Sequence, residues 1–381
     1  MTKIKGLVCG WQYDPGSSDE FGLGWNNIRR LLPQNLPYHF VKQTQNIECV
    51  GEAALECMGN VQGRLLLLAH PHLLMTHRTV EALGHMLDSS GQSLVCAFDA
   101  RFPYPQHGPD YCTFRGLERY QDKLKNLPPL AGSALNSRPL AAMIDTNALR
   151  KGSLDWDSAL WVSDAFVHDF SDYHQGRREE VIGSVPELAY KVLDVGGGEG
   201  GFLTALKEVR GCETHLAEFS AEACEKARER VDRVWEGDFT SIDFSGERFD
   251  CITFLDVLEH TQSPGNWMAK ATSLLRPNGV VVVSIPNVGH WSVIADLLEG
   301  RWDYCPVGIH CVTHLRFFTR HSVIQLLEHA GLRVENIITT DVGTPEWFKV
   351  SAMLGLQSSS TSDLSAYAFI ATARFVHDAS S

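Results

Sequence analysis

The stretch Val192-Leu193-Asp194-Val195-Gly196-Gly197-Gly198-Glu199-Gly200-Gly201-Phe202 runs from an apolar strand pattern through a glycine turn into a helix pattern. Glycines admit positive φ and let a ligand touch backbone, and a helix start offers unpaired N–H groups, so the turn suits a nucleotide-like ligand. Farther along, Asp256, Glu259 and His260 stand at i, i+3 and i+4, which is one face if the segment is helical. Carboxylates and imidazoles gathered there can move a proton or hold a divalent ion, and His290, just after Pro286-Asn287, can join them. A third polar group, Cys305, His310, Cys311 and His314, shares a loop with Trp302, Asp303 and Tyr304. Its spacing matches none of the usual structural zinc sites.

Two ligands fit the glycine turn. Gly196, Gly198 and Gly201 satisfy the G-x-G-x-x-G dinucleotide fingerprint, while Gly196, Gly198 and Gly200 give the G-x-G-x-G of S-adenosylmethionine enzymes. Asp194 favours the second, because a carboxylate at that place suits a cationic amino-acid moiety and opposes an anionic pyrophosphate. Glu218 ends the next strand, where an acid can accept from both ribose hydroxyls. Gly237-Asp238-Phe239 follows a third short strand; Asp238 can accept from an adenine amino group while Phe239 packs on the ring.

With these residues goes a run of further blocks: FDCITFLDVLEH (249–260), LLRPNGVVVVSIPN (274–287) and THLRFFTRHSVIQLLEHAGL (313–332). In order and spacing, residues 170–375 resemble the class I S-adenosylmethionine-dependent methyltransferases. The resemblance implies a Rossmann-like, seven-stranded α/β domain whose final strand, Ala366 to Phe375, runs antiparallel to the rest. It places Asp194, Gly196, Gly198, Glu218, Asp238, Phe239 and Leu255 in the pocket for S-adenosylmethionine, with Gly197, Gly200, Phe219 and Asp256 beside them. Relatives usually carry Cys or Thr where Gly197 stands, so the loop is looser than the common pattern. Tyr173 and Arg178 lie on the helix entering the domain, where similar residues close over the methionine end; an arginine there can pair with the cofactor carboxylate.

Methyl transfer needs a nucleophile aligned with the sulfonium methyl, and a hydroxyl acceptor gains from a base or metal that lowers its pKa. Asp256, Glu259 and His260 look like the E-x-x-E-H signature of certain metal-assisted O-methyltransferases, with His290 as a fourth ligand; many metal-free relatives carry the same Leu-Glu-His run, and a metal is the less favoured reading. His260 or His290 is the expected base. In relatives the loop after the His290 to Leu298 helix caps the acceptor pocket, which assigns His260, His290, Trp302, Tyr304, His310, His314 and Arg316 to the substrate.

These residues need two layered domains to position them. In the first half, short apolar strands (Ile4 to Cys9, Arg64 to Ala69, Ser93 to Phe98, Leu140 to Ile144) alternate with helical spacing at Thr79 to Leu87 and Thr113 to Leu124, a smaller α/β domain over 1–164. RLLLLAHPHLLMTHRTVEALGHML (64–87) looks like the stretch of family 2 glycosyltransferases that delivers an acidic metal motif, with His70-Pro71-His72 in place of the acids. That implies a degenerate domain that recognises a saccharide or partner without transferring sugar; the simpler reading of His70, His72, His77 and His85 is ordinary partly buried histidines. In 165–381 strands are expected at Lys191 to Val195, His215 to Glu218, Asp250 to Phe254, Val280 to Ile285 and Leu332 to Thr339, with helices from Tyr173 to Ile182, Gly265 to Leu275, His290 to Leu298 and Thr319 to His329.

The 381 residues, 44% hydrophobic and 21% charged, are long enough for two cores. A net charge of -13 with no basic stripe argues against nucleic acid. Ten scattered cysteines without a C-x-x-C pair read as reduced thiols, and no apolar run reaches the roughly 20 residues of a membrane span, so a cytoplasmic protein without membrane insertion is expected. The reading is a methyltransferase acting on an oxygen of a sugar, glycan precursor or other small hydroxylated molecule. The alternatives are an NAD-dependent oxidoreductase and a non-catalytic scaffold on the same fold.

Overall fold

The computed structural model describes residues 6–9, 38–40, 64–68, 73–100, 112–131, 139–155, 157–170, 176–341 and 363–375. They divide into two compact units, Met1–Ser171 and Asp172–Ser381. The boundary lies beyond the expected 164/165 because the chain up to Asp169 is committed to first-unit ladders: Leu160–Phe166 pairs in parallel with Leu94–Phe98, and His168–Asp169 pairs with Leu73–Leu74.

In the first unit the strands are β1 (Gly6–Cys9), β2 (Tyr38–Phe40), β3 (Arg64–Leu68), β4 (Leu73–Leu74), β5 (Leu94–Phe98), β6 (Leu130–Ala131), β7 (Ala141–Asp145), β8 (Leu160–Phe166) and β9 (His168–Asp169). Seven of them form one mixed sheet in the order β2-β1-β3-β7-β5-β8-β6. Helices His77–Ser89 and Phe114–Leu124 flank it, and each starts on a threonine cap, Thr76 and Thr113. Buried Gln121 ties the first helix to the sheet: it accepts from the Thr76 hydroxyl at 2.6 Å and donates to Thr79 Oγ1 at 3.0 Å. The Thr79 hydroxyl in turn donates to the Phe166 carbonyl, so no member of this small network is left unpaired in the core. His70 and His72 lie outside the described residues.

The second unit carries β10 (Lys191–Val195), β11 (Glu213–Glu218), β12 (Arg233–Glu236), β13 (Phe249–Leu255), β14 (Leu275–Pro286), β15 (Leu332–Asp341) and β16 (Ala366–Phe375). They form a seven-stranded sheet, β12-β11-β10-β13-β14-β16-β15, in which β16 alone runs against the others. The expected final antiparallel strand is present. Central strands read as unbroken apolar runs because both faces are covered. Val192, Val280 and Val282 face one layer with Phe202 and Leu206; Leu193, Val281 and Val283 face the other with Phe254 and Leu327.

Phe239 belongs to that second layer. It is 2% exposed and sits edge-on to Phe254 at 5.6 Å and Phe244 at 5.9 Å, so it is a core residue and not the expected face for an adenine ring. Phe239→Ala should cost about 3–5 kcal/mol of stability by chemical denaturation, and a loss under about 1 kcal/mol would put the ring outside the core.

The expected helix from Tyr173 to Ile182 shrinks to Glu179–Ile182, and Tyr173 lies outside the described residues. Arg178 interrupts it with a left-handed φ of 45°, held there by contacts across the unit that local helical spacing does not encode. Among the described residues no helix is long and apolar enough to cross a membrane, and no disulfide joins the described cysteines.

Candidate cofactor and acceptor site

Strand order reverses between β10 and β13, and in open α/β sheets ligands bind in the crevice at the carboxyl ends beside such a switch. Asp194, Glu218 and Leu255 lie at or near the carboxyl ends of β10, β11 and β13, and the glycines and Asp256 lie on the loops that leave them. Gly196, at φ 72°, turns out of β10 so tightly that an added Cβ would lie 2.7 Å from Val257 Cγ2, on the loop after β13. Gly200 opens helix Gly201–Arg210 at φ 78° with no side-chain cap, leaving that helix start to a ligand. Glu199, which the sequence reading passed over, fixes the loop from behind through Lys226 at 2.8 Å and Arg230 at 3.6 Å.

Asp194 is 1% exposed. The Thr253 hydroxyl donates to its Oδ1 at 2.6 Å, whereas Oδ2 has no hydrogen-bond partner among the described residues. A Cβ on Gly197 would lie 2.1 Å from that Oδ2, so the glycine that looks irregular beside relatives makes room for this carboxylate. Burial pushes Asp194 up to about 7, against the Thr253 hydroxyl and Arg178, which favour the carboxylate. Between 3.8 and about 7 the folded chain therefore holds a proton that the unfolded chain has lost, and ligand-free stability falls as pH rises across that window. A cationic ligand prefers the ionised form. Its affinity should rise with pH through about 7, by calorimetry in wild type, and stay flat in Asp194→Asn; the same slope in the variant would remove Asp194 from the site.

Glu218 lies across the glycine loop. Its Oε2 accepts from Gly198 N–H at 3.0 Å and its Oε1 from Ser220 N–H at 2.8 Å. The next residue, Phe219, is 71% exposed, a large ring in solvent beside the site. Asp238 is exposed, with its Oδ1 taken by the Thr240 N–H and hydroxyl, and Leu255 is half-buried at the end of β13.

Arg178 and Asp256 form an ion pair at 2.6 Å, and Ser284 bridges them, accepting from Arg178 at 2.8 Å and donating to Asp256 Oδ1 at 2.8 Å. Both residues sit at positive φ, 45° and 57°, a costly backbone state for side chains of this kind that clusters at functional sites. The desolvation of Arg178 is outweighed by Asp256 and Glu180, which keep the guanidinium charged. The strained backbone at Asp256 turns it away from its expected partners, since only Leu258–His260 form a turn of 3-10 helix.

Beyond Asp256, on the turn after β13, Glu259 is 1% exposed, with neither carboxylate oxygen hydrogen-bonded among the described residues. Burial, and then the charge of Asp256, hold its carboxyl well above the usual carboxylate range. His314 Nε2 lies 3.9 Å from Glu259 Oε1, and its Nδ1 meets the Ile309 carbonyl at 3.0 Å. The His260 ring is 4.7 Å from that of His314, and its Nδ1 meets the Thr313 carbonyl at 3.3 Å and hydroxyl at 3.0 Å. The Glu259 carbonyl accepts from Leu315 and Arg316 N–H, stapling the later loop onto the turn. Long-range pairing of this kind carries no signal in local spacing.

Other expectations change. His290 is fully buried and caps helix Trp291–Leu298 through Ser292, and burial pushes it down to about 4, so it is a structural cap rather than a base or a metal ligand. Asp256 is engaged by Arg178 and Ser284. Among the described residues the group that can hold a metal is Glu259, His260 and His314, all ligand atoms within 4.8 Å, which replaces the expected set of Asp256, Glu259, His260 and His290. The set of Cys305, His310, Cys311 and His314 is not gathered. His310 is buried against Trp302 at 4.2 Å between ring centroids, with neither ring nitrogen hydrogen-bonded among the described residues. Arg316 spends its guanidinium on the Gln262 and Leu315 carbonyls. The Trp302 ring lies 5.2 Å from Phe317 and 6.5 Å from exposed Tyr304.

Residues 156–337 match a family model described as "Methyltransferase domain". A ubiquinone biosynthesis O-methyltransferase from Photobacterium profundum is 25% identical over 39% of this chain and 65% of its own length. A tRNA 5-carboxymethoxyuridine methyltransferase from Escherichia coli is 27% identical over 34% of this chain and 53% of its own. This chain thus spans less than two thirds of either relative. An S-adenosylmethionine-dependent methyltransferase structure from Archaeoglobus fulgidus aligns over 54% of this chain and 97% of its own at 17% identity and a TM-score of 0.38. The family match covers most of the second unit, and the strand order and glycine loop described above are in keeping with a class I S-adenosylmethionine-dependent methyltransferase fold there.

Proposed function

We propose that this chain transfers the methyl group of S-adenosylmethionine to a hydroxyl oxygen of a small ring-bearing acceptor, a sugar precursor or a phenol. The observation that carries the reading is the pairing of Glu218 with the glycine-loop N–H groups beside the unpartnered Oδ2 of buried Asp194. Glu218 would accept from the ribose hydroxyls, exposed Phe219 would cover adenine, and Asp194 would meet the cationic methionine end. Arg178 would take the cofactor carboxylate, drawing on the same guanidinium that now holds Asp256.

In the transfer the acceptor oxygen forms a bond to the methyl carbon as the carbon–sulfur bond breaks, the electron pair staying on sulfur and the hydroxyl proton leaving. Alignment supplies several kcal/mol of the rate enhancement. His260 would take that proton, and Trp302, Tyr304 and Phe317 would offer ring faces to a flat or sugar-like acceptor. The expected O-methylation is in keeping with one relative's name, and the net charge of -13 weighs against the other relative's RNA substrate. For the first unit we propose acceptor or partner binding, in line with its glycosyltransferase-like stretch.

The dinucleotide alternative loses ground in the sheet: dinucleotide-binding domains run 3-2-1-4-5-6 in parallel, and here β16 is inserted antiparallel. The test is methyl-labelled S-adenosylmethionine with sugar nucleotides, catechols and transfer RNA in separate arms. Label in a sugar or phenol arm supports the reading. Label in RNA alone, or in none with the cofactor bound, overturns the acceptor class.

A further inference from the structure

We propose that Thr313 is the positioning residue for His260: it holds the ring proton on Nδ1 and so keeps the lone pair on Nε2 for the proton of the acceptor hydroxyl. The inference rests on the methyltransferase reading for its purpose, and for its evidence on a chain of hydrogen bonds whose direction is fixed at both ends. A neutral imidazole carries one N–H, and the partner of one nitrogen decides what the other can do.

The chain starts at His260 Nδ1, which lies 3.0 Å from the Thr313 hydroxyl and 3.3 Å from the Thr313 carbonyl. It runs on from that hydroxyl to the buried Cys311 thiol at 3.1 Å and ends where the thiol donates to the Pro306 carbonyl at 3.2 Å. Carbonyl oxygens only accept, so each end has one possible direction. With the Cys311 proton given to Pro306, the Thr313 hydroxyl donates to Sγ and turns a lone pair toward His260. Nδ1 must then carry the hydrogen, shared between the hydroxyl and carbonyl oxygens of one residue.

Backbone bonds hold both sides of this contact. Just before Thr313, Val312 N–H donates to the Cys305 carbonyl at 2.9 Å; just after it, Leu315 N–H donates at 2.8 Å to the carbonyl of Glu259, the neighbour of His260. Thr313 is therefore pinned against the turn that carries the histidine. The His314 ring also limits how His260 can rotate, edge to face at 4.7 Å and 76°, and its own Nδ1 is spent on the Ile309 carbonyl at 3.0 Å. Burial pushes His314 down to about 4, so it stays neutral beside a charged His260. In the transfer the acceptor proton passes to Nε2 as the oxygen–carbon bond forms and the carbon–sulfur bond breaks with its pair on sulfur. The resulting imidazolium keeps Nδ1–H on Thr313, so the ring has no need to turn. With the hydrogen on Nε2 instead, the ring would face the acceptor with an N–H and could accept nothing.

The full chain, with its histidines labelled in heavy nitrogen, is examined by long-range proton–nitrogen NMR correlation, and His260→Ala identifies the signal. Methyl transfer to a catechol and to a sugar nucleotide is measured in parallel, with S-adenosylhomocysteine affinity by calorimetry to show that each variant folds. The expected result is the Nδ1–H tautomer in wild type and a growing Nε2–H fraction in Thr313→Val, whose kcat falls about 3- to 10-fold at unchanged KM and cofactor affinity. Thr313→Ser should restore both readouts, and Thr313→Val added to His260→Ala should cost nothing further, since the hydroxyl acts through that ring. An Nε2–H tautomer in wild type, or wild-type kcat in Thr313→Val, overturns the proposal. So does an equal loss when Thr313→Val is added to His260→Ala, which would make Thr313 a part of the scaffold only. The expected tautomers without transfer to either acceptor by wild type keep the hold of Thr313 on His260 and sink the hydroxyl-methylation reading instead.

Discussion

His260→Ala is expected to lower methyl transfer on the order of 10²–10⁴-fold while leaving S-adenosylhomocysteine affinity within about twofold. The split follows from where the residue lies. His260 ends the turn after β13, ring to ring with His314, and its Nδ1 meets Thr313 of the later loop. An effect on turnover alone marks a residue used after the donor is bound. Equal losses in cofactor affinity and turnover would show that the turn Leu258–His260 merely shapes the donor pocket.

Glu218→Ala should weaken S-adenosylhomocysteine by about 10- to 100-fold, since hydrogen bonds to a charged acceptor contribute roughly 1.5–3 kcal/mol. Part of that loss is preorganisation: the carboxylate also holds Gly198 and Ser220 N–H groups, so the alanine frees the loop as well as removing the ribose partner. Glu218→Gln separates the two. Its amide oxygen can still accept from the loop, and it should keep loop order while losing most of the charge-assisted ribose contact, giving an intermediate affinity by calorimetry. Affinity unchanged in both variants would mean that the strand-end carboxylate is an ordinary surface acid.

The backbone of the candidate donor site was legible because its geometry is local. Asp194, Gly196 to Gly200 and Glu218 are set by strand ends and a tight turn, features that residue type and spacing announce. β16 and the two-sided apolar strands were equally open to reading. The failures have a common cause. Phe239 looked like an adenine platform because its neighbours Gly237 and Asp238 are surface residues, yet its ring turns into the aromatic cluster with Phe244 and Phe254. Asp256, Glu259 and His260 were expected on one helical face, but the left-handed backbone at Asp256 separates them. His290 was drawn into the set by sequence proximity to Pro286-Asn287, whereas its side chain caps its own helix. His314 meets Glu259 across two intervening helices and a strand, and Arg178 joins Asp256 across more of the chain still. Such partners are fixed by tertiary packing, which no window of neighbouring residues reveals.

The central claim is that the crevice between β10 and β13 holds an adenosyl sulfonium donor and not a dinucleotide. Calorimetric titration of the wild-type chain with S-adenosylhomocysteine, and in parallel with NAD, tests it most directly. One equivalent of S-adenosylhomocysteine bound in the micromolar range, with no heat from NAD, is the predicted result. NAD binding without S-adenosylhomocysteine binding, or neither, would contradict the assignment of Asp194 and Glu218 and the transfer chemistry built on them.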